Sequence, residues 1–362
     1  MKKIFYLLLT FLVVLHTDSK SQVIDTLINV GKNTLHFAII PGKGAPILFE
    51  AGGGNDATIW KSITQPIAEV TGATIITYDR PGLGKSTVDS TQSGFENDVK
   101  GLETALIKLG YQKGIMLVSH SLGGFYNSLY ASRNAKEVKA LVFIDANHPC
   151  FFSEDQLNQM NASPNFRNMV EVVRKNQVPS QIPVIDIVSE RTLFEGSPDA
   201  DRWRACHAEF VSASPNRKSI IAYETGHYIF FANRQLVINA IVTQYANHVM
   251  PKEKAAILEM GYAQELKASN EDRRSLIKYW HSEDDINEWG YSFLQHNEKE
   301  KALEVFKLNV FLHPQSAKAY DSLGEAYLKS GNKELAIQNY KKALELNPNY
   351  ESSRKALEQI MK

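Results

Sequence analysis

Residues 115–124 read IMLVSHSLGG, and a helical pattern follows over Phe125–Ser132. The first four residues form an apolar run that is typical of a buried strand. Ser121 then stands between the small residues Ser119 and Gly123, where strand gives way to helix. Such a sharp turn needs small neighbours because it brings backbone segments close together, and it presents the serine oxygen at a helix N-terminus. The stretch therefore predicts a nucleophile elbow with Ser121 as the nucleophile.

Short apolar runs and helical patterns alternate around this turn from about residue 34 to 248. This alternation predicts an α/β fold with a mainly parallel sheet and helices on both faces. Residues 146–181 interrupt the rhythm with a polar, proline-containing stretch, which we interpret as a short lid. The predicted strands are Leu35–Ile40, Pro46–Ala51, Ala73–Tyr78, Ile115–Ser119, Lys139–Asp145, Ile182–Val188 and Ser219–Tyr223, and the predicted helices include Phe95–Leu109 and Arg234–Val249.

A serine nucleophile requires a base, and the chain has 10 histidines. His227 lies just after the last predicted strand and before the final helix of this region, so its loop can reach the top of the sheet. It also follows Ser121 in the chain order nucleophile, acid, histidine. Eight of the other nine histidines lie inside predicted strands or helices, in or near the lid region, in the tail or at the elbow's variable position. We therefore predict His227 as the general base.

Two backbone N–H groups are candidates for an oxyanion hole. One belongs to Leu122, which directly follows the nucleophile. The other is expected in the run Gly52-Gly53-Gly54 after the second predicted strand, with Gly53 as the first choice and Gly54 as the alternative. This run lacks the Gly-Lys-Ser/Thr ending of a phosphate-binding loop. The sequence thus favours stabilisation of a carbonyl oxyanion over nucleotide binding.

Together, these residues resemble the α/β-hydrolase superfamily over residues 34–248. The stretch 78–86, YDRPGLGKS, is similar to the loop after the family's fourth strand, where Asp79 and Arg80 are expected to be structural. The resemblance implies a carboxylic ester hydrolase first, with other acyl-type bonds open and with no cofactor. It also exposes a departure, because many relatives place an Asp where this chain has Thr192. We expect Asp145, at the end of a predicted strand near the elbow, to be the acid, and Glu190 is the alternative.

The C-terminal part of the chain repeats with a period of 34 residues. Small, aromatic and proline residues recur at this spacing, which resembles the tetratricopeptide repeat. We predict an all-α domain over residues 283–362, with repeats at 283–316 and 317–350, a capping helix over 351–362 and a helical connector over 251–282. The matched pairs are Trp289/Leu323, Gly290/Gly324, Phe293/Tyr327, Ala302/Ala336, Phe306/Tyr340 and Pro314/Pro348.

The N-terminus has its own pattern. Lys2 and Lys3 precede an apolar run over Ile4–Leu15, and small residues follow at positions 19 and 21. This pattern predicts a signal peptide over residues 1–21, with export to the periplasm or the medium and no membrane span in the mature chain. The hydrolase-like domain is then expected over residues 22–250. In an oxidising compartment Cys150 and Cys206 could pair, but two free thiols were equally compatible with the sequence.

Composition narrows the function classes. The chain has 40 basic and 40 acidic side chains and no basic block, so a nucleic-acid partner is not expected. Neither cysteine has histidine-rich surroundings, so no metal is expected. The leading hypothesis is a serine hydrolase acting on a small ester-like substrate, with the repeats as a brace, a self-association contact or a protein-binding surface. The alternative is a catalytically idle binding protein that recruits a partner through its repeats.

Overall fold

The computed structural model describes residues 22–89, 91, 94–271, 283–295 and 297–360. The predicted signal peptide lies outside these residues. An eight-stranded sheet has the order β1-β2-β4-β3-β5-β6-β7-β8, with antiparallel pairing of β1 with β2 and of β2 with β4, and parallel pairing elsewhere. The strands are β1 Ile24–Asn29, β2 Thr34–Ile40, β3 Gly44–Glu50, β4 Ala73–Tyr78, β5 Ile115–His120, β6 Val138–Ile144, β7 Val184–Ser189 and β8 Arg217–Ala222.

The sheet is covered on both faces because successive side chains of a strand point to opposite sides. Ile47 and Phe49 of β3 join a buried cluster with side chains of α1 and α8, whereas Leu48 joins a second cluster with α2 and α3. The mainly parallel α/β fold predicted from the sequence is therefore confirmed. The helices of this part are α1 Lys61–Thr71, α2 Phe95–Leu109, α3 Gly123–Arg133, α4 Glu154–Gln159, α5 Pro164–Lys175, α6 Pro198–Ser212, α7 Ile229–Ala232 and α8 Arg234–His248.

The segment predicted as a lid, residues 146–181, contains α4 and α5. Its aromatic side chains pack on α3, with ring centroids of Phe125 and Phe152 at 5.7 Å and of Phe125 and Phe166 at 6.2 Å. A disulfide joins Cys150, at the start of this segment, to Cys206 on α6. The structure thus settles the pairing that the sequence left open, and it anchors the segment to the α3 and α6 side of the sheet.

The tail is helical and consists of α9 Lys254–Glu271, α10 Glu283–Gln295, α11 Lys299–Leu312, α12 Ala317–Lys329, α13 Lys333–Leu346 and α14 Glu351–Ile360. The repeated glycines explain the 34-residue period. A Cβ atom on Gly290 would lie 2.4 Å from the ring of Phe306, and one on Gly324 would lie 2.9 Å from the ring of Tyr340. Each glycine therefore lets the two helices of its pair approach around an aromatic ring.

Helix α9 lies between the two parts of the chain. Ile257 is buried in the cluster that contains α8, and a Cβ atom on Gly261 would lie 3.2 Å from Val242 of that helix. The next residue, Tyr262, belongs instead to a buried cluster with Ile286 of α10 and with residues of α11. This helix therefore covers both the sheet domain and the first repeat. In the part of the chain that the structure describes, we find no helix with the length and apolarity of a membrane span.

Candidate active site

Ser121 occupies a sharp turn between β5 and α3. Its φ of 52° lies in the left-handed region, which is rare for a residue with a side chain. The turn is held by its own backbone. The N–H of Ser121 donates to Ile144 at 3.3 Å, and its carbonyl accepts from Gly124 and Asn147 at 2.9 Å each. Such strain persists only where the surroundings enforce it, and it is concentrated at functional sites.

The glycine run after β3 lies directly against this turn. A Cβ atom on Gly52 would lie 3.2 Å from the Cβ of Ser121, and one on Gly123 would lie 2.6 Å from the carbonyl oxygen of Ala51. Gly53 faces Leu122, because its Cβ position is 3.5 Å from the Leu122 Cδ2 atom. The structure thus brings together the two residues that the sequence suggested as oxyanion-hole donors.

Arg80 fixes the orientation of this loop. Its guanidinium donates to the carbonyls of Ala51 and Gly52 and pairs with the buried carboxylate of Glu50. In a trans peptide the carbonyl and the following N–H point in opposite directions. Because Arg80 holds the Gly52 carbonyl, the Gly53 N–H is directed away from the guanidinium. From the sequence Arg80 was expected to be structural, and the contacts show that it holds the backbone carbonyls of the glycine run.

His227 and Asp145 form a buried polar contact. His227 Nδ1 lies 2.7 Å from Asp145 Oδ2, and the Asp145 side chain is 0% exposed. Burial by itself would raise the pKa of Asp145, but the hydrogen bond from His227 and the charges of His207 and His227 outweigh it and lower that pKa. An ionised carboxylate only accepts hydrogen bonds, so Nδ1 carries a proton and donates. In the neutral ring, Nε2 is then the basic nitrogen.

Asp145 is held by three further donors. Ser189 donates to it through its backbone N–H at 3.1 Å and its hydroxyl at 3.0 Å, and the Trp203 indole N–H donates at 3.1 Å. Asp145 also has a positive φ, 43°. Sequence reasoning missed both partners. Ser189 could have been considered from its position, because it ends β7 at the same edge of the sheet as Asp145. Nothing in the sequence connects Trp203 of α6 with the end of β6.

The alternative acid lies elsewhere. The Glu190 carboxylate accepts a hydrogen bond from the backbone N–H of Glu224 at 2.7 Å, and Thr192 accepts one from the N–H of Phe194. Of the two acids suggested by the sequence, the structure places Asp145 against His227 and engages Glu190 with the loop after β8.

His120, at the elbow's variable position, packs against the His227 ring. Its ring centroid is 4.4 Å from that of His227, and its Nε2 donates to the backbone carbonyl of His227 at 3.0 Å. Burial and the neighbouring His227 lower its pKa to about 3, so the ring is neutral at pH 7. His120 therefore links the elbow to the loop that carries His227, and it does so as a neutral ring.

A second buried cluster contains His148, Asp186 and His207, whose ligand-type atoms lie within 4.8 Å of one another. His207 Nδ1 is 2.7 Å from one carboxylate oxygen of Asp186, and His148 Nε2 is 3.3 Å from the other. Burial disfavours the charged forms of His207 and Asp186. The negative charge of Asp186 nevertheless raises the pKa of His207, and the two histidines lower the pKa of Asp186. Because both carboxylate oxygens already face a ring nitrogen, we interpret the cluster as a buried ion pair rather than as a metal site.

The comparisons with known proteins agree with this architecture. Residues 45–194 match the family described as alpha/beta hydrolase fold, and residues 317–350 match the tetratricopeptide repeat. The uncharacterized protein YqjL of Bacillus subtilis (strain 168) is 28% identical over 213 residues, which are 55% of this chain and 83% of that protein. The chain therefore carries an α/β-hydrolase fold followed by a tetratricopeptide repeat.

Among solved structures, the chain is similar to the epoxide hydrolase CorEH, with 17% identity, a TM-score of 0.45, and 62% of this chain and 99% of that chain covered. It is also similar to a thermophilic esterase from Thermogutta terrifontis, with 16% identity, a TM-score of 0.45, and coverage of 61% and 96%.

Proposed function

We propose that the protein is a serine hydrolase that cleaves carboxylic esters of small molecules through an acyl-enzyme on Ser121. One observation carries the proposal: the buried 2.7 Å contact between His227 Nδ1 and Asp145 Oδ2, with the His227 ring packed on His120, the residue before the strained serine. A carboxylate in this place fixes the tautomer of the imidazole and stabilises the imidazolium that forms during proton transfer. The strained turn and the glycine run support the same chemistry.

In the proposed reaction, Ser121 Oγ attacks the ester carbonyl while His227 Nε2 takes the serine proton. The backbone N–H groups of Gly53 and Leu122 stabilise the tetrahedral oxyanion. His227 then gives its proton to the departing alcohol, and a water molecule activated by the same nitrogen hydrolyses the acyl-enzyme. Each step uses only side chains and backbone groups of this chain, together with substrate and water.

The remaining parts of the proposal concern location and the tail. The pattern of residues 1–21 supports export, to the periplasm or the medium. The tetratricopeptide repeat is a fold associated with protein contacts, which supports a protein or self-association contact as a further role. The packing of α9 on both parts of the chain favours bracing, since its Ile257 covers the cluster around α8 and its Tyr262 covers the cluster with Ile286, and removal of α9 would expose both clusters.

The test is turnover of a series of p-nitrophenyl esters, from acetyl to decanoyl, by the mature chain and by Ser121→Ala. We expect hydrolysis by the wild type and a rate equal to buffer alone for the variant. Equal hydrolysis by both proteins would reject Ser121 as the nucleophile. A folded wild type that cleaves none of these esters would move the protein towards the binding function.

A further inference from the structure

The acid of the proposed triad is supported by a helix that comes more than fifty residues later in the chain. Trp203 lies on α6, and its Nε1–H donates to Asp145 Oδ1 at 3.1 Å, while His227 binds the other carboxylate oxygen. The Trp203 side chain is 2% exposed and Asp145 is 0% exposed. Because water has little access to this pair, solvent cannot replace the indole donor if it is removed.

Trp203 is the less replaceable of the two side-chain donors. The Ser189 hydroxyl has one hydrogen and two acceptors in reach, Asp145 at 3.0 Å and the carbonyl of Arg191 at 3.1 Å. The indole has one N–H, which donates to Asp145. A hydrogen bond to an ionised carboxylate is about twice as strong as one between neutral groups.

The disulfide connects the two chain segments that form this contact. Cys150 follows Asp145 by five residues, and Cys206 follows Trp203 by about one turn of α6. The indole ring is also enclosed by aromatic rings, with centroids of Phe151 at 5.1 Å and of Phe194 at 5.6 Å. Helix α6 is therefore fixed covalently and by packing to the segment that follows the acid.

We infer that Trp203 is a positioning residue of the active site, which holds the Asp145 carboxylate in the orientation that His227 requires. This inference rests on the proposed function. It assigns a positioning role to α6, an element that contributes no residue to the proposed triad or oxyanion hole. It also explains how an acid at the end of β6, with a positive φ, is kept in place where many relatives use the following strand.

The test is the second-order rate of labelling by a fluorophosphonate probe for four proteins: wild type, Trp203→Phe, Asp145→Ala and the double variant. Trp203→Phe keeps the ring but removes the N–H, and we expect its rate to fall about tenfold. In the Asp145→Ala background the same change should have no further effect, because the acceptor is gone. Phe194→Leu is the matched control, since it loosens the same aromatic packing and leaves the N–H in place; its rate should fall much less than that of Trp203→Phe.

The outcomes distinguish failure of the proposed function from failure of the positioning role of Trp203. If wild type is not labelled, the proposed function itself fails. If wild type is labelled and Trp203→Phe reacts at the same rate, or slows equally with and without Asp145, the positioning role is wrong. Should Trp203→Phe fail to fold, the indole N–H resonance of Trp203 in the wild type provides a second measurement. It should be protected from exchange and should shift in Asp145→Ala, and an unchanged resonance would also overturn the inference.

Discussion

Replacing Asp145 by Asn tests the arrangement of the acid and base most sharply. The amide has nearly the same shape as the carboxylate but no charge, and its NH₂ group can donate to His227 Nδ1. That nitrogen would then have to accept, which moves the ring proton to Nε2 and removes the lone pair that takes the serine proton. Asp145 is 0% exposed, so water cannot restore the original tautomer.

The expected magnitude follows from this loss. In serine hydrolases with a Ser-His-Asp triad, an Asp-to-Asn change that leaves the histidine in the wrong tautomer lowers kcat by about 10⁴, which corresponds to about 5 kcal/mol in the barrier. We expect kcat of Asp145→Asn for an activated ester to fall by about 10³–10⁴, with a KM close to that of the wild type. Glu190→Gln is the matched control, because its carboxylate binds the Glu224 N–H, and its kcat should change less than about threefold. Equal losses in the two variants would refute the assignment of Asp145.

Three further predictions concern the elements around the site. Arg80→Lys keeps the charge beside Glu50 but loses the forked guanidinium that holds the Ala51 and Gly52 carbonyls. In steady-state assays kcat should therefore fall about tenfold or more. An unchanged kcat would show that Arg80 does not control the oxyanion loop. In the folded protein the pKa of His120 is lowered to about 3. Below about pH 6.5 the unfolded chain therefore binds a proton at His120 that the folded protein does not bind, and the free energy of unfolding falls as the pH falls. The loss should be about 2 kcal/mol between pH 7 and pH 5, and His120→Gln should remove it, as measured by urea unfolding at both values; parallel profiles would contradict this. A chain ending at residue 251 lacks Ile257 and exposes the surface that this side chain covers. Burial of the Ile257 side chain alone stabilises the folded state by about 2–3 kcal/mol. A chain ending at residue 271 keeps this contact. Thermal unfolding should therefore show a lower Tm for the shorter chain, and equal Tm values would argue against bracing by α9.

The features that could be read from the sequence are those with a local signal. The elbow around Ser121 combines an apolar strand, small residues and a helix start within ten positions. The repeat could be found because Gly290 and Gly324 each face an aromatic ring of their own helix pair, which fixes residue types at a constant spacing. By contrast, β1 was not predicted, because it lies at the sheet edge and exposes most of its side chains.

The features that could not be read depend on contacts between distant segments. The sequence left Asp145 and Glu190 as alternatives, since both follow strands, and only the three-dimensional arrangement separates them. The donors that hold Asp145 come from β7 and α6, and the disulfide joins residues 56 positions apart. Arg80 could be recognised as structural from its motif, but its hold on the Gly52 carbonyl depends on the packing of β4 beside β3.

The central claim, an activated serine at the elbow, is tested most directly by intact-mass analysis of the mature protein after exposure to a fluorophosphonate. We expect one adduct on the wild type and none on Ser121→Ala, with both proteins folded by circular dichroism. An adduct on the variant would place the reactive group elsewhere. A folded wild type without an adduct would contradict the account.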